Sequence, residues 1–265
     1  MIAVEEHTGV AVVSLARPPV NALDLPMIEE LESTFARVAN ATPRIGVVLT
    51  GAGNTFSAGV DTKAFASYGR EERHRVVLAI TRMTGALLSL PCPLVAAVNG
   101  HALGGGFVLM LCCDYRLVAD DHALRLGLTE ARAGVPFPAG PIAVMKHEMP
   151  GGLLRQMTLS SRVVSPQDLV QHGLIDALAS KEQILENAIA AVRDLASQPA
   201  FEVVKKQVRG GLAADVQALA VAGADAFLRS FGQSTRAAGH VVRACLRLSR
   251  ISGESPPLVL RDEAE

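Results

Sequence analysis

The chain has 265 residues with 25 Lys or Arg and 26 Asp or Glu, a formal net charge of -1, and this balance argues against a nucleic-acid surface. With 49% apolar residues, general disorder is excluded and there is material for one large core or a core with an appended part. Aromatic residues supply only 4% and Trp is absent, so that core must be layered aliphatic packing.

The N-terminal stretch MIAVEEHTGVAVVSLARPP opens on acidic residues and alternation rather than a basic segment and an apolar block. It has no signal or transit pattern, and a cytoplasmic protein is expected. VAVVSL, Val10 to Leu15, reads as a strand that the prolines of ARPPVNAL interrupt. Leu23, Met27, Ile28, Leu31, Phe35 and Val38 recur at helical spacing, with Asp24 placed to cap them. IGVVLTG then reads as a buried strand, followed by the glycine-rich loop GAGNTFSAG, helix-compatible sequence to Leu90, and PCPLVAAVNG as another buried strand. Leu94 to Cys113 is long enough for a membrane span, but Asn99, His101 and four glycines favour a strand, turn and helix instead. Alternating strands and helices predict βαβ units with parallel strands, which directs attention to loops at strand ends. Helical periodicity continues at Pro141 to His147, Leu153 to Leu159, Pro166 to His172 and Lys181 to Ala196. Beyond Pro199, helices are expected at Phe201 to Arg209, Val216 to Phe231 and Thr235 to Leu248, with a loose tail SGESPPLVLRDEAE.

Several site chemistries lack their residues. Phe56 stands where a dinucleotide fingerprint needs its third glycine, and no Gly-Lys-Ser/Thr follows a glycine-rich loop. There is no GxSxG elbow, and His147-Glu148 lacks the second histidine of a zinc protease. The cysteines, Cys92, Cys112, Cys113 and Cys245, form no CxxC or zinc pattern, and the histidines are scattered, so no metal site is expected. Two turns remain, Phe56-Ser57-Ala58-Gly59-Val60-Asp61 and Ala102-Leu103-Gly104-Gly105-Gly106, each after a buried strand. Converging on one spot, their unpaired amides could hold an oxygen that gains negative charge. Taken singly, each set of glycines also fits the plainer role of permitting a tight turn.

The segments RPPVNALDLPMIEEL, TGAGNTFSAGVDTKAF, PLVAAVNGHALGGGFVLMLCCDYRLVAD and GLTEARAGV, in this order, resemble the crotonase (enoyl-CoA hydratase/isomerase) superfamily over residues 10 to 200. The resemblance implies an α/β fold, a spiral of ββα-type units over residues 1–198 with a helical C-terminal trimerisation part over 199–265. It also implies an acyl-CoA substrate, a homotrimer or dimer of trimers, no nucleic-acid or membrane partner, and no separate cofactor, since coenzyme A is part of the substrate thioester. The family's oxyanion hole maps onto the backbone N–H groups of Val60 and Gly105. Ala58, Asp61, Lys63 and Gly104 fall at substrate-binding positions, Lys63 where some relatives hold CoA phosphates, although it reads equally as a solvated surface lysine.

Family hydratases use two glutamates to activate water. Here the first position is Val108, which can neither accept nor deliver a proton, and the second is Glu130. If buried among aliphatic neighbours, Glu130 would titrate near neutrality, as a proton shuttle requires; the alternative is a structural role at a helix start or in a surface pair. One carboxylate and one oxyanion hole suit a double-bond shift, and the motifs look closer to the branch that isomerises 3-enoyl-CoA to 2-enoyl-CoA. The alternatives are an enoyl-CoA hydratase (a lyase) of fatty acid oxidation, with Asp61 or Glu148 as replacement acid, and a catalytically inactive acyl-CoA-binding protein. Asp61 also reads as a helix cap, and His101, Phe137 and Met145 are candidates to line an acyl pocket.

Overall fold

Three aliphatic runs make the centre of a six-stranded sheet. In a computed structural model, which describes residues 1–40, 45–223, 225 and 228, VAVVSL forms β2 (Val10–Leu15), GVVLTG forms β3 (Gly46–Gly51) and LVAAV forms β5 (Leu94–Val98). Strands β3 and β5 are buried along their whole length, as parallel strands covered on both faces must be. With β1 (Ile2–His7), β7 (Tyr115–Ala119) and β10 (Ala177–Ala179), the order is β1-β2-β3-β5-β7-β10. Every neighbouring pair is parallel except β1 and β2, which run antiparallel from Ile2↔Leu15 to His7↔Val10. Strand β1 is not among the strands expected from the sequence. Ala3 to Glu6 are all exposed, so this edge strand is held by its ladder rather than by an inward apolar face.

A smaller sheet positions the site. It comprises β4 (Thr55–Ser57), β6 (His101–Leu103), β8 (Leu126–Gly127) and β9 (Val163–Val164), in the order β4-β6-β8-β9. Neighbours β4 and β6 are parallel, with Ser57 opposite Ala102, so the turns that follow them leave the same edge side by side. These turns lead into two short helices, α2 (Thr62–Ser67) and α4 (Gly105–Leu111).

The longer helices pack on the large sheet or on one another. In α1 (Leu25–Asn40), Met27, Ile28, Leu31, Phe35 and Val38 face the core, and the Asp24 carboxylate accepts the Met27 N–H at 3.0 Å. That cap is the one expected. Next come α3 (Arg70–Leu88), α5 (Glu130–Ala133), α6 (Ala139–Glu148), α7 (Gly151–Leu159), α8 (Pro166–Gln171) and α9 (Ile184–Ala196). From Phe201 the structure corrects the expectation of two separate helices. One helix, α10 (Phe201–Ala222), runs through Gly210 and Gly211 and stops at Gly223, whose φ of +57° is left-handed. Two interior glycines cost about 1 kcal/mol each relative to alanine. Burial of Leu212, Ala213 and Val216, as α10 packs on α3 and α6, offsets that cost. The expected helix at Thr235 to Leu248 and the tail lie outside the described residues.

Candidate active site

The two turns expected to act together do touch. Gly59 has φ +81°, and a β-carbon on it would lie 2.6 Å from the Leu103 carbonyl oxygen and 2.8 Å from the Gly105 nitrogen. Only glycine permits that approach. Leu23 forms an isolated parallel bridge with Val60, its N–H donating to the Gly59 carbonyl at 2.8 Å and its carbonyl accepting the Asp61 N–H at 2.9 Å. In a trans peptide plane the C=O and the following N–H point in opposite directions. With the Gly59 carbonyl aimed at Leu23, the Val60 N–H therefore points away from it. On the other turn, the Gly104 N–H donates to the Gly127 carbonyl at 2.8 Å, and the first helical bond of α4 runs from the Val108 N–H to the Gly104 carbonyl at 3.1 Å. The Gly105 N–H thus precedes the helical ladder and has no acceptor within it.

Glu130 enters from α5 beside the second turn. Its Oε1 lies 2.8 Å from the place a β-carbon on Gly104 would take, and its buried Oε2 has no hydrogen-bond partner. Burial pushes this carboxyl up to about 7, partly opposed by the backbone amides of Glu130 and Thr129. A carboxyl that titrates near neutrality beside the turn that carries the Gly105 N–H can exchange a proton with a group held on that turn.

The other carboxylates proposed from sequence are differently placed. Asp61 caps α2, accepting the N–H groups of Lys63 at 3.1 Å and Ala64 at 3.0 Å, and pairs with Arg17 at 2.8 Å. Against the upward push of burial, the Ala64 amide and the Arg17 guanidinium hold its carboxyl below the ordinary range. Glu148 pairs with Arg116 and, at 3.0 Å, with Arg209, and these two cations hold it low despite burial. Val108, on α4, is 4% exposed and brings no acid to the site. Lys63 is exposed in the first turn of α2, and the Ala58 N–H donates to the Val20 carbonyl at 2.9 Å.

A family model described as "Enoyl-CoA hydratase/isomerase" matches residues 5–240. The chain belongs to the enoyl-CoA hydratase/isomerase family. Carnitinyl-CoA dehydratase of Escherichia coli (strain K12) is 29% identical over 187 residues, covering 70% of this chain and 69% of that protein. The crystal structure of human mitochondrial delta3-delta2-enoyl-CoA isomerase superposes with a TM-score of 0.85 over 95% of this chain and 99% of that one, at 24% identity. That likeness is one of fold. An enoyl-CoA hydratase from Bacillus anthracis gives a TM-score of 0.72 at 30% identity, covering 84% and 90%. The α/β crotonase fold expected from the motifs is therefore the fold observed, and the chain is a crotonase-family acyl-CoA enzyme.

Elsewhere in this crotonase-family chain, a cavity of about 550 Å³ lies between the start of β7, the end of α6 and the first turns of α10. Its walls include Asp114, Arg116, Glu148, Lys205 and Arg209, but not Val60, Gly105 or Glu130. Lys205 and Arg209 pair with Asp114 at 2.5 and 2.9 Å, and Arg116 and Arg209 both donate to the Leu111 carbonyl at the end of α4. Of the pocket-lining candidates, Met145 is fully buried, Phe137 packs against the core, and His101 accepts the Arg125 N–H on Nδ1 at 3.0 Å. Among the described residues no group of His, Cys, Asp or Glu is arranged to hold a metal ion, and no helix is long and apolar enough to cross a membrane. The residues missed from sequence are those that hold the turns. Asn21 donates to the carbonyls of Ala52, Thr55 and Phe56 at 3.0, 2.7 and 3.3 Å, while Arg17 links Asp24 and Asp61. Their only sequence signal is membership of RPPVNAL, since every partner in the turn lies more than thirty residues away.

Proposed function

We propose that the chain isomerises 3-enoyl-CoA to 2-enoyl-CoA, with Glu130 as the single proton carrier. The observation that carries this reading is the buried, unpartnered Oε2 of Glu130 beside the Gly104 turn. The N–H groups of Val60 and Gly105 hold the thioester oxygen as it gains charge. Glu130 takes a proton from carbon 2, the electron pair delocalises into a dienolate, and the same carboxyl returns the proton at carbon 4. Atoms balance without water. Ala58 and Gly104 shape the thioester slot, Asp61 holds its turn, and Lys63 faces the solvent end where CoA phosphates would lie. Assembly as a homotrimer or dimer of trimers, with residues 1–198 as core and 199–265 as helical part, belongs to the same reading.

Hydration is the competing reaction, favoured by the name of the Bacillus anthracis relative. It needs a second acid, and Val108, the Arg17-paired Asp61 and the arginine-paired Glu148 offer none that is free. Product analysis on matched 3-enoyl-CoA and 2-enoyl-CoA, with wild type and Glu130→Gln, separates the readings. Conversion of the 3-enoyl substrate without hydration, lost in the variant, is the expected result. Hydration of the 2-enoyl substrate by wild type would overturn the isomerase, and binding with no turnover of either would favour an inactive acyl-CoA-binding protein.

A further inference from the structure

Ser57 ends β4 and is fully buried, yet its hydroxyl points neither at solvent nor at a charged group. It donates to the Asn21 carbonyl at 2.8 Å and accepts the Gly59 N–H at 3.1 Å. Asn21 is itself fixed, with a left-handed φ of +50° and its side-chain amide shared among the carbonyls of Ala52, Thr55 and Phe56. The second turn rests on the same serine: a β-carbon on Gly106 would come within 2.4 Å of the Ser57 carbonyl oxygen and 2.8 Å of its Cβ.

Gly59 is the residue whose conformation aims the Val60 N–H. Its own N–H is tied to Ser57 and its carbonyl to Leu23, so both peptide planes flanking this glycine are pinned. Without the serine bond the Ala58–Gly59 peptide loses its acceptor, and the Gly59–Val60 peptide is oriented by the two Leu23 bonds, at the Gly59 carbonyl and the Asp61 N–H, without support from the strand side. We infer that Ser57 is a positioning residue for the oxyanion hole, its hydroxyl transmitting the fixed Asn21 loop to the Val60 amide while its backbone seats the turn carrying Gly105. Ser57 touches no reacting atom. This inference rests on the reading of Val60 and Gly105 as the donors that polarise the thioester.

The test uses Ser57→Ala and the nearly isosteric Ser57→Cys, whose sulfur is a weaker acceptor, with the full chain. Two readouts are taken: kcat and KM on a 3-enoyl-CoA, and the infrared carbonyl stretch of bound butanoyl-CoA carrying ¹³C at the thioester carbon. In wild type the stretch moves to lower frequency on binding. In Ser57→Ala that displacement shrinks and kcat falls about tenfold to a hundredfold, the size expected when donors are slightly misplaced. KM stays within about twofold, since ground-state contacts elsewhere on CoA persist. Ser57→Cys lies between the two, and carries the comparison alone if Ser57→Ala does not fold. A variant carbonyl displacement and kcat equal to wild type overturn the positioning role while leaving the hole intact. No displacement in wild type overturns the hole itself, and this inference with it.

Discussion

Gly104 and Glu130 share one volume: the carboxylate Oε1 lies 2.8 Å from the position a β-carbon on Gly104 would occupy. Gly104 also has φ +53° and ψ -123°, a conformation that side-chain-bearing residues avoid. The acid can lean on the turn only because the turn has no side chain there.

Gly104→Ala therefore moves Glu130 as well as straining the backbone. We expect kcat to fall by about a hundredfold, as for a misplacement near 1 Å, and stability to fall by about 1–3 kcal/mol from the strained conformation. Steady-state kinetics and urea unfolding measure the two effects. A variant with wild-type kcat would show that the Glu130 position is not set by this contact.

The Glu130 carboxyl, pushed up to about 7 by burial, predicts pH dependence in two observables. If Glu130 is the base of the proposed isomerisation it must be ionised to begin proton removal, and kcat/KM on a 3-enoyl-CoA should then rise with pH and level off above about 7. Stability has the opposite slope. The folded chain holds this proton more tightly than the unfolded one, so the contribution is full below the ordinary value of 4.5 and is lost as pH rises through about 7. The linked change is on the order of 3 kcal/mol. Urea unfolding of wild type and Glu130→Gln at pH 5 and pH 8 checks it: the variant should lose less stability over that interval, and equal losses would remove Glu130 as the linked group.

Val108 lies one helical turn beyond Gly104 on α4, at a position 4% exposed. Val108→Glu buries a carboxyl where the chain has a methyl-bearing wall, costing about 1–3 kcal/mol as a polar group without a prepared partner. If the absent second acid is what withholds hydration, the variant should release 3-hydroxyacyl-CoA from 2-enoyl-CoA where wild type does not. Chromatography of the CoA products decides this, and a folded variant with no hydration would assign the block to another feature of the pocket.

Arg209 carries α10 onto the body of the fold. It is 7% exposed, donates to the carbonyls of Leu111 and Cys112, and pairs with Asp114 and Glu148. Arg209→Met leaves two largely buried carboxylates short of a partner, and the expected loss is about 3–5 kcal/mol in urea unfolding. A loss below 1 kcal/mol would mean that Lys205 and Arg116 already compensate both acids.

Much of the candidate site was legible because its parts are local. Glycine at a turn, two aliphatic strands before the turns, and an acid in GLTEARAGV are features of short segments, and the motifs carrying them match the family over residues 5–240. Val108 was equally legible as an absence, since a valine has no proton to give in any fold. Residues that act through distant partners were not visible: the Asn21 bonds reach across more than thirty positions, and nothing near Ser57 in the chain marks its hydroxyl as a link.

From sequence alone came the fold class, the buried strands and the candidate donors and acid, because burial period, glycine freedom and side-chain chemistry are properties of the residues themselves. Tertiary structure alone decided that Gly59 and Gly105 touch, that Oε2 of Glu130 is left without a partner, and that Asp61 and Glu148 are paired with arginines. It also decided that α10 continues through Gly210 and Gly211. Distance, desolvation and pairing depend on which surfaces meet in the folded chain, and those meetings set both the pKa of an acid and the length of a helix whose local propensity is poor.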